Sequence, residues 1–404
     1  MQFLDTLRER GFVHQITDEV ALHKALYGGP MVFYCGFDPT ASSLHIGSLL
    51  QLMLMGHLVR AGHSAIGVVG GGTGMVGDPS GRDSTRDILT PERIQENLVG
   101  ISAQIRRFCP DAEVIDNGDW LLSLKYVEFL RDIGKHFSVN RMLTADSVRN
   151  RLERDQGLSF IEFNYVLLQS YDFLELYRRY GCRLQIGGQD QWFNILMGTE
   201  LIRRMEGVDS WGITTPLLAT ASGAKMGKTA SGAVWLDASR TSAYDYYQYW
   251  YNVDDRDVGR FLKLYTWLPI PEIKELEAGD FRVAKHRLAY EATLIAHGES
   301  HATDVQQAIY ATFGKPGEKK VFSVAEETPT WATMFPVPVL DALVGSGLCK
   351  SKSEARQKIK EAAVKIGADR ADFSDEKAML EEPTILWVGK KNVRNIISLE
   401  GVAA

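Results

Sequence analysis

Four short segments carry residue types suited to chemistry on a phosphorylated nucleotide. The first runs Tyr34-Cys35-Gly36-Phe37-Asp38-Pro39-Thr40 and continues to Leu44-His45-Ile46-Gly47-Ser48. A histidine followed by glycine at a helix start can set an imidazole against a phosphate, where the open backbone N–H groups add positive potential. Gly47 leaves room for a nucleotide ring or backbone to come close. A histidine in that place also serves as a purely structural cap. The second segment, Gly70 to Arg82, is glycine-rich. It lacks the Gly-Lys-Thr ending of a phosphate-cradling loop and the regular spacing of a dinucleotide turn. Arg82 and Arg86 lie four apart, so on a helix they share a face toward either an anion or solvent.

The third segment is Leu184-Gln185-Ile186-Gly187-Gly188-Gln189-Asp190-Gln191-Trp192. Its paired glycines let an adenosine lie flat on the backbone. The Asp190 carboxylate is suited to accept from ribose hydroxyls. A Gly-Gly turn with a helix-capping aspartate is the competing reading. The fourth segment is Gly223-Ala224-Lys225-Met226-Gly227-Lys228-Thr229. Two lysines three apart on a small-residue loop form a cationic clamp, able to follow charge developing on a pyrophosphate leaving group. Taken alone, that spacing is ordinary surface composition.

These segments need a scaffold. Met31 to Phe37 reads as a strand, Leu49 to Arg60 as a helix and Ser64 to Val69 as a second buried strand. Strand, helix, strand with short connections predicts a parallel α/β sheet, whose ligands bind beyond the carboxyl ends of the strands. Pro91 to Phe108 and Leu121 to Tyr180 are mostly helical in pattern, Leu184 to Gly188 is another strand and Trp192 to Met205 another helix. After Val234-Trp235-Leu236 the pattern changes to several helices over Ser242 to Ala311, broken at Pro269–Pro271. Phe313-Gly314-Lys315-Pro316-Gly317 and Thr328-Pro329-Thr330 are turn or linker signals, and a small final unit begins near Pro338.

Bulk properties bound the reading. The 404 residues are 45% apolar, enough for a large core in two or three domains. With 45 basic and 51 acidic residues the net charge is −6, so any RNA contact must come from a local basic face. Cys35, Cys109, Cys182 and Cys349 show no Cys-x-x-Cys spacing, which leaves a zinc ribbon unsupported and reduced thiols expected. His297 and His301 are four apart, but Gly298 breaks the metalloprotease pattern, and a solvated helix face is expected there. Met1 to Arg10 is charged and amphipathic, unlike a signal peptide. The apolar run Leu44 to Val59 is interrupted by His45, Gln51 and His57 and reads as a buried helix. The expected location is the cytoplasm.

Together these segments resemble the class I aminoacyl-tRNA synthetases, most closely the bacterial tyrosyl type. His45-Ile46-Gly47-Ser48 is similar to the family's His-Ile-Gly-His signature, and Lys225-Met226-Gly227-Lys228-Thr229 to its Lys-Met-Ser-Lys-Ser signature. The resemblance extends through Gly77-Asp78-Pro79-Ser80, His136-Phe137-Ser138-Val139-Asn140, Tyr165-x-x-x-Gln169-x-x-Asp172 and Gln185 to Trp192. It implies a ligase that joins L-tyrosine to ATP as tyrosyl-adenylate, releases pyrophosphate, and passes the tyrosyl group to the 3′ end of tRNA(Tyr). ATP enters as a substrate with Mg²⁺, and no structural metal is expected.

The resemblance also implies residue roles. Tyr34 and Asp172 meet the substrate phenol; Asp78, Tyr165 and Gln169 hold the ammonium; Gln191 orients the carboxylate end. For Tyr165 and Gln169 a packed helix face is the competing reading. Thr40 and His45 contact the γ-phosphate side, and Arg82, Arg86, Lys225 and Lys228 spread over the pyrophosphate. Cys35, Gly36, Asp38, Gly47, Gly188 and Asp190 hold the ribose and adenosine. One departure stands out: the signature's second histidine is Ser48, whose shorter hydroxyl can still donate to a ribose or ring oxygen. Gly227 in place of serine is milder.

In the terminal unit, Lys350 to Lys360 carries five bases and one acid, and the segment from Pro338 through Gly367 resembles a small ribosomal-protein-type RNA-binding domain. Lys352, Arg356 and Lys360 recur every four residues and share one helical face, either toward tRNA phosphates or toward solvent. The expected architecture is a Rossmann-like parallel-sheet catalytic domain over 1–230, with a helical insertion at about 120–165. An α-helical anticodon-side domain over 231–325, a linker over 326–337 and a small α+β RNA-binding domain over 338–404 follow. The family implies a homodimer, with Phe129–Asn164 near the two-fold. A smaller nucleotidyltransferase, a tryptophan-specific relative and a non-catalytic RNA binder are the alternatives. Tyr34 with Asp172 argues for a phenol, and the Lys225–Thr229 clamp argues for catalysis.

Overall fold

A computed structural model describes residues 3–80, 90–154, 157–221, 232–313, 330–367, 370–389 and 392–398, with a few positions between 223 and 229. The chain divides into two compact units, Met1–Ala308 and Ile309–Ala404.

The first unit is built on a six-stranded sheet. Its strands are β1 (Gln15–Ile16), β2 (Val32–Phe37), β3 (Ser64–Val69), β4 (Glu113–Asp116), β5 (Leu184–Gly188) and β6 (Trp211–Thr215), in the order β1-β6-β5-β2-β3-β4. All pairs are parallel except β1 with β6. From β2 the chain moves outward to β3 and β4, then returns to β5 on the other side. The crevice between β2 and β5 is therefore the switch point where a doubly wound sheet binds ligands. Its register sets Tyr34 opposite Gln185 and Cys35 opposite Ile186.

Helices cover both faces because both faces are apolar. Alternation along the strands sends Tyr34, Ile66 and Val68 into a core with Phe173, Leu174 and Leu176. Those partners lie on the helix Tyr165–Tyr180, which packs beside the helix Trp192–Glu206. On the opposite face lie the helices Ile46–Arg60 and Pro91–Phe108. Ile46–Arg60 buries residues all round, including Leu49, Leu50, Met53, Leu54 and Leu58, so its apolar run is a core helix. Thr90 caps Pro91–Phe108 by accepting the Arg93 N–H, with proline in the first turn, where a missing N–H costs nothing.

The helical stretch expected after residue 242 consists of Ala243–Tyr251, Asp255–Tyr265, Ile270–Ala278, Phe281–His297 and Glu299–Phe313. Through residue 308 it belongs to the same compact unit as the sheet. His297 departs from the expected solvated face: it is 3% exposed, stacked on Tyr246 at 4.7 Å, and burial lowers its pKa to about 4. The reason is that its helix is buried along Ala289, Ala292 and Ala296, so the histidine at its last turn is drawn in with them.

The second unit has a mixed five-stranded sheet, in which Thr384–Val388 is flanked by Val364–Ile366 and Asn392–Ser398. The helices Val339–Gly345 and Lys352–Lys360 bury Leu340, Leu343, Ala355 and Ile359 in its core. The opposite face of Lys352–Lys360 leaves Lys352, Arg356 and Lys360 exposed, as the four-residue spacing predicts. Lys352 also forms an ion pair with Asp341.

Candidate active site

Tyr34 reaches into the crevice from the middle of β2 and is 2% exposed. Its hydroxyl finds no hydrogen-bond partner among the described residues. Burial and the nearby Asp172 charge both push its pKa up. An unsatisfied buried hydroxyl costs about 1–3 kcal/mol, so this one is poised to gain from a ligand that supplies a partner.

Asp172 lies on the inner face of Tyr165–Tyr180 and is 4% exposed. Its Oδ1 accepts from Trp120 Nε1 at 2.7 Å and its Oδ2 from Asn117 Nδ2 at 2.9 Å. Burial nevertheless raises its pKa to about 7, against those two donors and with help from the charges of Asp116 and Asp38. Asn117 is committed on both sides: its Oδ1 accepts from Gly72 N at 2.8 Å, and its Nδ2 also donates to Thr73 Oγ1 at 2.9 Å. The glycine-rich loop after β3 thus braces the carboxylate through Asn117. Neither Asn117 nor Trp120 was picked out from the sequence, since nothing local marks an isolated Asn or Trp as the partner of an aspartate more than fifty residues away.

A second polar cluster sits beside the first. Asp78 is buried, and its Oδ1 accepts from Ser80 N at 2.8 Å. Burial first, then the charge of Asp38, raises its pKa to about 6. Gln191 Nε2 donates to Asp78 Oδ2 at 2.7 Å and to Asp190 Oδ2 at 2.9 Å. Gln169 Nε2 donates to Gln191 Oε1 at 3.1 Å. Asp190 lies inside the short helical turn Gln189–Gln191, whose N-cap is Gly188, and the helix Trp192–Glu206 that follows takes Gln191 as its N-cap, so Asp190 is the N-cap of neither. Tyr165 is buried at the start of its helix. The crevice therefore gathers carboxylates, and the charge of Asp38 helps raise the pKa of both Asp78 and Asp172, an environment that favours a cation.

The His45 loop joins β2 to the helix Ile46–Arg60. His45 caps the helix Ile46–Arg60, its Nδ1 accepting from Gly47 N at 2.9 Å. A neutral ring held this way carries its proton on Nε2 and presents it as a donor. The space at Gly47 is taken by this imidazole: a β-carbon there would stand 2.5 Å from His45 Cε1. At Gly188 a β-carbon would stand 2.5 Å from Asp190 Oδ1. Ser48 follows in the first helical turn, its N–H donating to the His45 carbonyl at 2.8 Å. The loop is strapped by the chain that follows the lysine clamp. Ile46 N donates to Val234 O at 3.0 Å and Leu236 N to Leu44 O at 2.9 Å, while Trp235 meets His45 edge-on at 6.1 Å.

Gly36 and Thr40 are exposed, and Asp38 is half-buried at the end of β2. Cys35 is buried, with its Sγ 3.9 Å from the Gly36 carbonyl. Arg82, Arg86 and Lys225 lie outside the described residues. Lys228 is described only as backbone, in the short strand Lys228–Thr229.

The family described as tRNA synthetases class I (W and Y) matches residues 27–314. A tyrosine--tRNA ligase of Desulfatibacillum aliphaticivorans is 46% identical, covering 99% of this chain and 99% of its own length. That of Zymomonas mobilis is 48% identical, with 96% of each covered. A crystal structure of a C-terminally truncated mitochondrial tyrosyl-tRNA synthetase of Aspergillus nidulans is 32% identical and superposes with a TM-score of 0.70, over 77% of this chain and 94% of that one. The chain belongs to the class I tRNA synthetases and, within them, to the tyrosine–tRNA ligases.

Proposed function

We propose that this ligase activates L-tyrosine with Mg²⁺-bound ATP in the β2/β5 crevice and transfers the tyrosyl group to the 3′ end of tRNA(Tyr). The observation that carries the reading is the pairing of an unpartnered Tyr34 hydroxyl with the braced Asp172 carboxylate, both buried. A phenol satisfies both at once by donating to Asp172 and engaging Tyr34. Asp78, Tyr165 and Gln169 receive the ammonium, whose charge relieves the repulsion among the carboxylates. Gln191 orients the carboxylate end.

In the first step a tyrosine carboxylate oxygen bonds to the α-phosphorus as the bond from that phosphorus to the bridging oxygen breaks, and pyrophosphate leaves. The nucleophile is already ionised near neutral pH, so no general base is needed. Catalysis is positioning and charge stabilisation. Thr40 and the Nε2 proton of His45 serve the γ-phosphate side; Arg82, Arg86, Lys225 and Lys228 neutralise the departing pyrophosphate. Cys35, Gly36, Asp38, Gly47, Ser48, Gly188 and Asp190 hold the adenosine. In the second step a terminal ribose hydroxyl of tRNA attacks the acyl carbon, loses its proton and expels AMP.

Lys352, Arg356 and Lys360 contact tRNA phosphates. The enzyme works as a cytoplasmic homodimer. The apolar side chains Tyr126, Val127, Val139, Leu152, Phe160 and Ile161, all exposed within the expected interface region or close to its edge, support that assembly. The test is ATP–pyrophosphate exchange driven by single amino acids. Exchange with tyrosine, and far weaker exchange with phenylalanine or tryptophan, is expected; exchange with tryptophan alone, or with none, overturns the reading.

A further inference from the structure

Asn194 stands in the first turn of the helix Trp192–Glu206 and is 6% exposed. Its Nδ2 lies 3.0 Å from Gln169 Oε1, 3.3 Å from Gln191 Oε1 and 3.4 Å from Ser80 Oγ. Chemistry alone orients this network. Asp78 and Asp190 are carboxylates and, when ionised, only accept, so the Gln191 amide must turn its NH₂ toward them. Its carbonyl then faces Gln169 and Asn194, and both must donate to it. Gln169 uses its NH₂ for this, which leaves its own carbonyl facing Asn194. The Asn194 amide is therefore the donor at the end of a chain of forced choices that starts at two carboxylates.

We infer that Asn194 is a positioning residue for amino-acid recognition: its buried NH₂ binds the Gln169 and Gln191 carbonyls together and so holds both side chains in place beside Asp78, where the substrate ammonium is received. The inference rests on the reading that Gln169, Gln191 and Asp78 take the α-amino-acid end of tyrosine. Without the Asn194 donor, the two glutamine carbonyls lose their shared partner. Gln191 keeps its bonds to Asp78 and Asp190, whereas the Gln169 carbonyl is left without the donor that fixes it. The ATP half of the crevice is untouched by this network, apart from Asp190.

The test compares Asn194→Leu, which keeps the branching and heavy-atom count and removes the donor, with Asn194→Asp, which keeps the shape and puts an acceptor where the donor was. Steady-state ATP–pyrophosphate exchange gives KM for tyrosine and for ATP, and thermal unfolding verifies the fold. Asn194→Leu raises KM for tyrosine about 10- to 30-fold and leaves KM for ATP within about twofold. Asn194→Asp is the more damaging, because its carboxylate opposes both glutamine carbonyls. A merely structural asparagine gives the reverse order, with the isosteric aspartate the milder, and that order overturns the inference. So does an equal rise in both KM values. If Asn194→Leu melts below the assay temperature, Asn194→Asp carries the test against wild type: an unchanged tyrosine KM overturns the inference and a raised one supports it.

A double-mutant cycle reads the mechanism directly: in a Gln191→Ala background the penalty of Asn194→Leu shrinks to about threefold or less, and full additivity overturns the inference. Gln169→Ala and Gln191→Ala separate the two levels. If neither changes tyrosine KM, the pocket reading itself fails. If both raise it while the Asn194 variants do not, only the positioning role fails.

Discussion

Replacing Asp172 by asparagine keeps the side chain's shape and inverts half of its polarity. In the wild-type pocket Oδ1 accepts from Trp120 Nε1 and Oδ2 from Asn117 Nδ2. Whichever way the new amide turns, its NH₂ faces one of these donors. Trp120 Nε1 has no acceptor form. Asn117 cannot turn to answer, because its carbonyl is held by Gly72 N and its NH₂ by Thr73 Oγ1. The variant therefore carries a donor–donor conflict and loses the charged acceptor for the substrate phenol. A hydrogen bond to a charged group is worth about 1.5–3 kcal/mol, which is roughly 10- to 150-fold in kcat/KM. The donor conflict pushes the outcome to the upper end, so tyrosine activation by Asp172→Asn falls about 100-fold. Phenylalanine makes no bond to Asp172, and its activation changes by about threefold or less. Pyrophosphate exchange with each amino acid, run in parallel, measures both. The signature is collapse of discrimination rather than loss of activity as such. Equal losses with the two amino acids, or tyrosine activation within threefold of wild type, refute the argument. Tyr34→Phe removes only a neutral partner and costs about 2- to 10-fold with tyrosine.

The remaining outcomes follow from the same structure. Asp172 and Asp78 are raised to about 7 and about 6, so kcat/KM for tyrosine should fall as pH drops below 7, when the phenol acceptor and then the ammonium partner become protonated. An acid whose folded pKa lies above its unfolded value gives the folded state extra protons between the two, so wild-type stability falls with rising pH across that window; the melting temperature of Asp172→Asn, relative to wild type, should therefore improve from pH 4 to pH 8, and a flat difference argues against the raised pKa. Gly47→Ala forces a β-carbon against the His45 imidazole; kcat should fall about 100-fold while tyrosine binding by equilibrium dialysis stays unchanged. Glu162→Gln breaks a bidentate pair with Arg151, whose side chains are 4% and 3% exposed; urea unfolding should show a loss of about 3 kcal/mol, and an unmoved midpoint contradicts the buried pair. Arg356→Ala with Lys360→Ala should reduce the slope of log affinity for tRNA against log salt by about 2 and leave amino-acid activation intact.

Much of the scaffold was legible because it obeys local periodicities. Pro91–Phe108 begins at its threonine cap and first-turn proline and ends where its apolar stripe stops. The strand over 64–69 and the helix over 192–206 follow their apolar patterns in the same way. His297 was misread because helix spacing places a residue on a face but does not say what packs there. Its burial depends on Tyr246, from a helix some fifty residues earlier.

The His45 loop and the Gly188–Asp190 turn stand out in the amino-acid sequence by residue type and spacing, and the candidates Tyr34, Asp78, Gln169, Asp172 and Gln191 by their place in motifs that resemble the family's. Tertiary structure alone decided which of them meet. Gln191 meets Asp78 across 113 positions, Asp172 is held by Trp120 and Asn117 across 52 and 55, and Asn194 closes the network from a separate helix. Hydrogen bonds of this kind have no periodicity to betray them. They exist because the crossover between β2 and β5 brings distant strand ends together in a buried crevice, where a polar group left unpaired is costly.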